Sequence, residues 1–249
     1  MGINSENAWY NFVKKNYSHL FPNLCSRSRF NRTRRELIKL TDFLCQKLLC
    51  EFSATINDYF IIDSFPLPVC KFGRVHFCRS FRTENASYGV CPSKKEVYFG
   101  YKVHTMIALS GFIVKFEITP ASTDDRKGLL DILDEESNIV VLADKGYVGQ
   151  KLYEYLKKQG ICLIALKRSN SKNKWSKSFR QLIFKLRRRI ETNFSQLSEQ
   201  LNAEKVLAKT FNGLCTRLVD KVFGYNLCLI LNHIFYPKSH ITKIKHLIF

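Results

Sequence analysis

Acidic side chains are scarce in this chain: 21 Asp and Glu stand against 40 Lys and Arg over 249 residues, a formal charge of +19 at pH 7. A compact protein tolerates that imbalance best when its working partner is a polyanion, so nucleic acid is the first expectation and a merely soluble basic protein the plainer one. An anionic membrane surface would ask for a basic amphipathic helix, which is missing. Zinc spacing is missing as well. The nine cysteines, at 25, 45, 50, 70, 78, 91, 162, 215 and 228, form no CxxC pair, and the six histidines do not complete a metal pattern. An odd number of thiols in a chain too long to need staples points to free cysteines in a reducing compartment. Cys162, within Ile161-Cys162-Leu163-Ile164, reads as a small core residue.

No run is apolar for long enough to span a bilayer. The longest, Val222 to Phe235, is broken by Asn226, Asn232 and His233. Asn4, Ser5, Glu6 and Asn7 stand where a signal peptide needs an apolar stretch, and Glu6 spoils a myristoylation pattern at Gly2. A soluble protein of the cytoplasm is therefore expected, with no membrane partner. Internal repeats and low-complexity linkers are also absent. What remains is 45% hydrophobic and 13% aromatic, enough for one sizeable core with a small helical appendage.

The pattern along the chain is that of an α/β protein. Residues 1 to about 57 read as helical, with Trp9, Phe12 and Val13 at helical spacing, then Leu37, Leu40, Phe43, Leu44 and Leu48. Between them Arg27, Arg29, Arg32, Arg34 and Arg35 suit either a DNA backbone or a solvated helix start. Tyr59 to Asp63 reads as a strand stopped by Pro66 and Pro68, followed by a long basic loop that contains cysteine, Gly89, Pro92, Lys94 and Lys95. Val97 to Leu109 and Phe112 to Thr119 form a hairpin about Ser110-Gly111. Asp124 to Glu136 reads as a helix, Ile139 to Ala143 as a strand buried on both faces, Gln150 to Gln159 as a helix and Ile161 to Leu166 as another buried strand. Phe179 to about Leu201 is a long helix with Leu182, Ile183, Leu186, Ile190, Phe194, Leu197 and Leu201 as its apolar stripe, and a last helix runs from about Gly213 to Phe235.

Three acids stand out against this background. Asp63 and Asp144 each close an apolar strand, where open α/β sheets collect functional side chains. Glu191 follows buried Ile190 by one position, about 100° round its helix, and so borders the buried stripe. Clustered carboxylates repel unless a cation compensates, and hard oxygen ligands suit Mg²⁺ or Mn²⁺. Two such ions about 3.5–4 Å apart promote in-line displacement at phosphorus. Any one of these acids alone reads more simply as a turn or helix cap. A second signal is the run from Lys167 to Ile190, which holds ten basic residues and no acid: Lys167, Arg168, Lys172, Lys174, Lys177, Arg180, Lys185, Arg187, Arg188 and Arg189. Phosphate contacts are their natural task. Arg187, one turn before Glu191, is placed to orient that carboxylate or hold a phosphate; an ordinary surface pair is the plainer reading. Trp175 and Phe179 suit base stacking or core packing.

Five motifs in order, Ile62-Asp63-Ser64-Phe65-Pro66, Tyr98-Phe99-Gly100-Tyr101-Lys102-Val103-His104, Ile118-Thr119-Pro120-Ala121-Ser122, Ala143-Asp144-Lys145-Gly146-Tyr147 and Arg188-Arg189-Ile190-Glu191-Thr192, resemble the DDE transposases of bacterial insertion sequences. The resemblance covers roughly residues 20 to 235. It implies an RNase H-like mixed sheet flanked by helices at 58–236, a small and shortened helical DNA-binding region at 1–57, and a basic tail at 237–249. It implies Asp63, Asp144 and Glu191 as the catalytic, metal-binding triad, with Mg²⁺ or Mn²⁺ as cofactor, two ions in all. The implied reaction is cleavage at transposon ends and attack of the freed 3′-hydroxyl on target DNA. Double-stranded DNA is the partner, in a homodimer in the bacterial cytoplasm or nucleoid. Lys102, His104, Lys145, Lys172, Lys174, Lys177, Arg180, Arg187 and Arg188 are the expected DNA contacts. A purely hydrolytic nuclease and a non-catalytic DNA-binding remnant are the alternatives. Asp124 stands where the family commonly has a histidine, leaving Asp125 as the residue suited to a supporting role.

Overall fold

The computed structural model describes residues 5–52, 57–91, 95–166, 175–244 and 247. Three helices come first, α1 (Glu6–Asn16), α2 (Arg27–Glu36) and α3 (Ile38–Glu51). The sheet is built from β1 (Tyr59–Pro68), β2 (Ser87–Cys91), β3 (Glu96–Ala108), β4 (Ile113–Pro120), β5 (Val140–Ala143) and β6 (Cys162–Ala165). Helices α4 (Arg79–Arg82), α5 (Asp125–Ile132), α6 (Gln150–Lys158), α7 (Lys177–Ser195) and α8 (Phe211–Phe235) complete it. This is the expected mixed sheet flanked by helices.

Strand β1 is central. It runs antiparallel to β3 on one side and parallel to β5 on the other, with β6 parallel beyond β5. The outer side of β3 is shared, its first residues pairing with β2 and the rest with β4. β5 lies inside the sheet between β1 and β6, and its wholly apolar sequence matches its depth, with Val141, Leu142 and Ala143 buried. The hairpin at Ser110-Gly111 is present, with Gly111 at φ +105°, where a side chain would be strained.

β1 does not stop at Asp63, as its prolines suggested, but continues through both to Pro68. Register supplies the reason. The Val69 amide donates to the Phe99 carbonyl, so odd-numbered residues of β1 face β3, and Pro66 and Pro68 fall on the positions whose missing amides would point away. The β5 ladder ends at Ile62 opposite Ala143, so those prolines remove no sheet bond on that side either. The segment after β1, expected to be a loop, contains a 3₁₀ turn (Phe72–Phe77), α4 and β2; Pro92 and Lys94 lie outside the described residues.

Helix starts follow their caps. Ser5, Asp124, Ser176 and Thr210 each accept an amide hydrogen from the first turn of the helix that follows. α5 ends at Ile132, short of the expected Glu136, and α7 continues into a π-helical turn at Gln196–Gln200. Three burial expectations are corrected. Cys162 is exposed because it opens the edge strand β6. Leu182 is exposed on the outer side of α7. Leu37, Leu40, Phe43 and Leu44 are exposed too, because α3 turns Cys45 and Leu49 towards the core instead.

Polar side chains tie the helices to the sheet. The Asn226 amide on α8 accepts from the Ile113 amide at 3.0 Å and donates to its carbonyl at 2.9 Å. Asn193 on α7 donates to the Gly111 carbonyl at 2.6 Å. The segment after α8 is fastened as well, since Asn232 donates to the carbonyls of His240 and Ile241, and Ile244 is buried.

Gly100 faces Pro68 across the β1–β3 ladder at φ +154°, and an added Cβ would lie 2.4 Å from the Leu67 carbonyl oxygen. Backbone cannot give way as a side-chain end can. Gly100→Ala is therefore expected to destabilise the protein by about 2 kcal/mol, read from the midpoint of urea unfolding, and an unchanged midpoint would contradict the tight approach.

Candidate active site

The last parallel pair of β1 and β5 is Ile62 with Ala143, which makes Asp63 and Asp144 the next residues on adjacent strands. β1 continues past this point and β5 does not, so Asp144 enters the short 3₁₀ turn Lys145–Tyr147. Asp144 occupies the capping position of that turn, yet its side chain makes no capping hydrogen bond. It is engaged elsewhere. Arg187 of α7 donates from Nη1 to Asp144 Oδ1 at 3.2 Å and from Nη2 to Asp63 Oδ2 at 3.3 Å. One guanidinium thus links two carboxylates that are 81 residues apart in sequence, counted as 144 − 63.

Burial differs among the three. The Arg187 side chain is 11% exposed, that of Asp63 24% and that of Asp144 42%. Desolvation pushes the Asp63 carboxyl up to about 6, against the opposing effects of the Ser64 amide, which donates to Oδ1 at 2.8 Å, and of Arg187. Asp144 and Asp125 raise it further by charge repulsion.

Asp125, at the start of α5, lies on the other side of Ser64. It accepts from Ser64 Oγ at 3.3 Å and from Lys102 Nζ at 2.8 Å, and Lys102 also donates to the Thr123 carbonyl. Asp124 does a different job. It caps α5 and binds the Arg126 guanidinium, whose hydrogen bonds hold its carboxyl down at about 2. The Tyr147 phenol is buried beside these acids, and desolvation first, then the charges of Asp63 and Asp125, raise it well above its ordinary value.

The other expected site residues divide clearly. Glu191 is exposed on α7, one turn beyond Arg187, and is not drawn in with the aspartates. Among the described residues no group of three or more His, Cys, Asp or Glu side chains is close enough to hold a metal ion. Lys145, Lys177, Arg180 and Arg188 are exposed, as contacts to a DNA backbone require. Lys172 and Lys174, with Lys167 and Arg168, lie outside the described residues. The expected DNA contact at His104 is corrected, because the side chain is completely buried with Nε2 3.0 Å from Thr119 Oγ1. Desolvation lowers it to about 4, so it stays neutral and packs against Gly128, where no Cβ would fit. Arg187, also expected on DNA, is occupied by the two aspartates. Trp175 and Phe179 meet each other, with ring centroids 5.1 Å apart.

Sequence reasoning missed the Arg187 bridge and the Lys102–Asp125 pair. A hint of the second was present, since Lys102 is the one Lys, Arg, Asp or Glu inside its motif and Asp125 follows Ser122 of another by three positions. For the first there was none, because a helix pattern relates Arg187 only to Glu191. The donor set suits a hard divalent ion in part. Asp63 and Asp144 already converge on a cationic group, which is the chemistry such an ion requires, whereas Glu191 stands outside that grouping.

A raised carboxyl has a definite sign. The folded protein binds the Asp63 proton more tightly than the unfolded chain, so the associated stability is present below pH 4 and lost as pH rises through about 6. Between pH 4 and pH 7 in metal-free buffer, Asp63→Asn should gain on the native protein by on the order of 2–3 kcal/mol. Urea unfolding at a series of pH values measures this, and two parallel stability curves would refute it.

Residues 53–210 match the family model described as a transposase DDE domain. A search of curated proteins finds no match. A solved structure of piggyBac transposase, in a synaptic complex with hairpin DNA seen by cryo-electron microscopy, is similar at 11% identity and a TM-score of 0.47. The similarity covers 78% of this chain and 52% of that one, so the chain spans about half the length of that protein. The match over residues 53–210 covers well over half of the sequence, and the chain belongs to the DDE transposase family.

Proposed function

We propose that this protein is a metal-dependent transposase that cuts double-stranded DNA at the ends of a bacterial insertion sequence and joins the freed 3′-hydroxyl to target DNA. The observation that carries the reading is the meeting of Asp63 and Asp144 at the end of the β1–β5 ladder, with both carboxylates paired to one guanidinium. Family membership supports the same chemistry.

Asp63, Asp144 and Glu191 are the residues that would hold the metal, Mg²⁺ by preference and Mn²⁺ as substitute, in a pair. When bound, such ions polarise a phosphoryl oxygen, lower the pKa of an attacking hydroxyl and neutralise the leaving one. The chain supplies position and charge. Asp63 is fixed by the Ser64 amide and by pairing of β1 on the β3 side, and Asp144 by the turn that follows β5. The Lys102–Asp125 pair anchors the start of α5 against β3 on the other side of Ser64. Exposed Lys145, Lys177, Arg180 and Arg188 would hold DNA phosphates, binding without much choice of sequence. Two copies would work on paired ends, in the cytoplasm or nucleoid. Among the described residues no helix is long and apolar enough to cross a membrane.

The test is incubation with candidate element ends and Mg²⁺, scoring nicking and strand transfer from a precut end separately. Asp63→Ala, Asp144→Ala and Glu191→Ala are each expected to lower both by at least about a thousandfold while salt-sensitive DNA binding persists. Full cleavage by any one of them removes that residue from the triad. Nicking without strand transfer would make the protein a hydrolytic nuclease.

A further inference from the structure

Arg187 is unusual for an arginine in a basic, DNA-acting protein. Its neighbours Arg180 and Arg188 face solvent, yet its own side chain is 11% exposed and directed into the carboxylate pair. The guanidinium gives one nitrogen to Asp144 at 3.2 Å and another to Asp63 at 3.3 Å, and its Nε has no acceptor. Charge-assisted hydrogen bonds of good geometry measure about 2.7–2.9 Å, and arginine favours a two-bond fork on a single carboxylate. Arg187 has neither. It spans two acids as a counter-charge, with one hydrogen bond to each and no fork on either.

A divalent ion held by Asp63 and Asp144 would need the oxygens that Arg187 now occupies. Two cations cannot share so small a site without strong repulsion, and the guanidinium is the weaker competitor for hard oxygen donors. The position of Glu191 fits the same account. It lies one turn further along α7, on neighbouring surface, and stays exposed while the guanidinium holds the aspartates.

We propose that Arg187 is an internal counter-cation of the metal-free site, holding Asp63 and Asp144 together until a divalent ion displaces it. The exchange rests on the metal-binding reading of these aspartates. It makes Arg187 a positioning residue in the empty site and a competitor during loading, so removing its charge strengthens cation binding. A purely structural arginine would do the opposite, since its loss would loosen the two aspartates and weaken the site.

The experiment is a Mn²⁺ titration of the full chain without DNA, followed by the electron paramagnetic resonance signal of free Mn²⁺. Arg187→Met, which keeps length and removes charge, should bind Mn²⁺ more tightly than the native protein by on the order of tenfold. Adding Asp63→Asn to that variant should abolish the gain. A folded Arg187→Met protein with equal or weaker affinity overturns the proposal and leaves the metal reading standing. Absence of Asp63-dependent Mn²⁺ binding in native and variant alike overturns both. Should Arg187→Met fail to fold, nitrogen-15 spectra of arginine side chains in the native protein decide the matter. The restrained Arg187 signals should be lost or moved on Mg²⁺ saturation, and signals that persist unchanged refute the exchange.

Discussion

Everything near the site depends on the two-sided pairing of β1. Its antiparallel ladder with β3 runs from Phe60 to Pro68, whereas its parallel ladder with β5 covers only Tyr59 to Ile62. Where the shorter ladder ends, β5 turns out of the sheet while β1 continues beside β3, and each backbone presents an aspartate at that point. No loop has to find the other, because hydrogen-bond register fixes both positions. The helix that meets them, α7, is set by its own packing: Phe194 lies against Phe65 with ring centroids 5.1 Å apart, Ile190 is buried, and Asn193 grips the Gly111 carbonyl. Arg187 arrives at the two aspartates because these three contacts orient the helix.

The balance of charge at that point shows how a protein so rich in lysine and arginine handles acids. Asp63 and Asp144 share Arg187, Asp125 has Lys102, and Asp124 has Arg126. The pairs are not equivalent. Arg126 and Asp124 are both half-exposed and act as a local cap, worth little in stability. The Arg187 pairs are more deeply placed, and desolvation still outweighs their attraction at Asp63, whose carboxyl remains raised. A site arranged in this way is pre-formed but electrostatically unsatisfied, which is common where a protein is built to bind.

Much of the frame was legible from sequence. β5 announced itself as a short apolar run, the β3–β4 hairpin by Ser110-Gly111, and α7 by its periodic stripe. The errors have physical causes. Pro66 and Pro68 read as a stop because a proline rule applied to sequence ignores which side of a strand its missing amide faces. His104 read as a DNA contact because polarity and motif say nothing about depth; Gly128 makes room for it in the core. Leu40 and Phe43 match helical spacing as well as Cys45 and Leu49 do, and only packing chooses the face. In the site, the aspartates could be found from the apolar runs they follow, although only Asp144 lies at a strand end, but their shared partner could not, since it depends on the angle of a helix more than 40 residues away from either.

The two prolines of β1 have one more effect. Past Asp63, among the described residues, the strand has no strand partner on its second side, and an unpaired edge invites any extended peptide to add itself to the sheet. Pro66 and Pro68 remove the amides that would welcome it. Strand addition along Pro66 and Pro68 is thereby disfavoured, whether by another region of this chain or by another copy. The residues that look like a stop signal act as a guard on an open flank, so that what reaches Asp63 from that side must be recognised by side chains and charge.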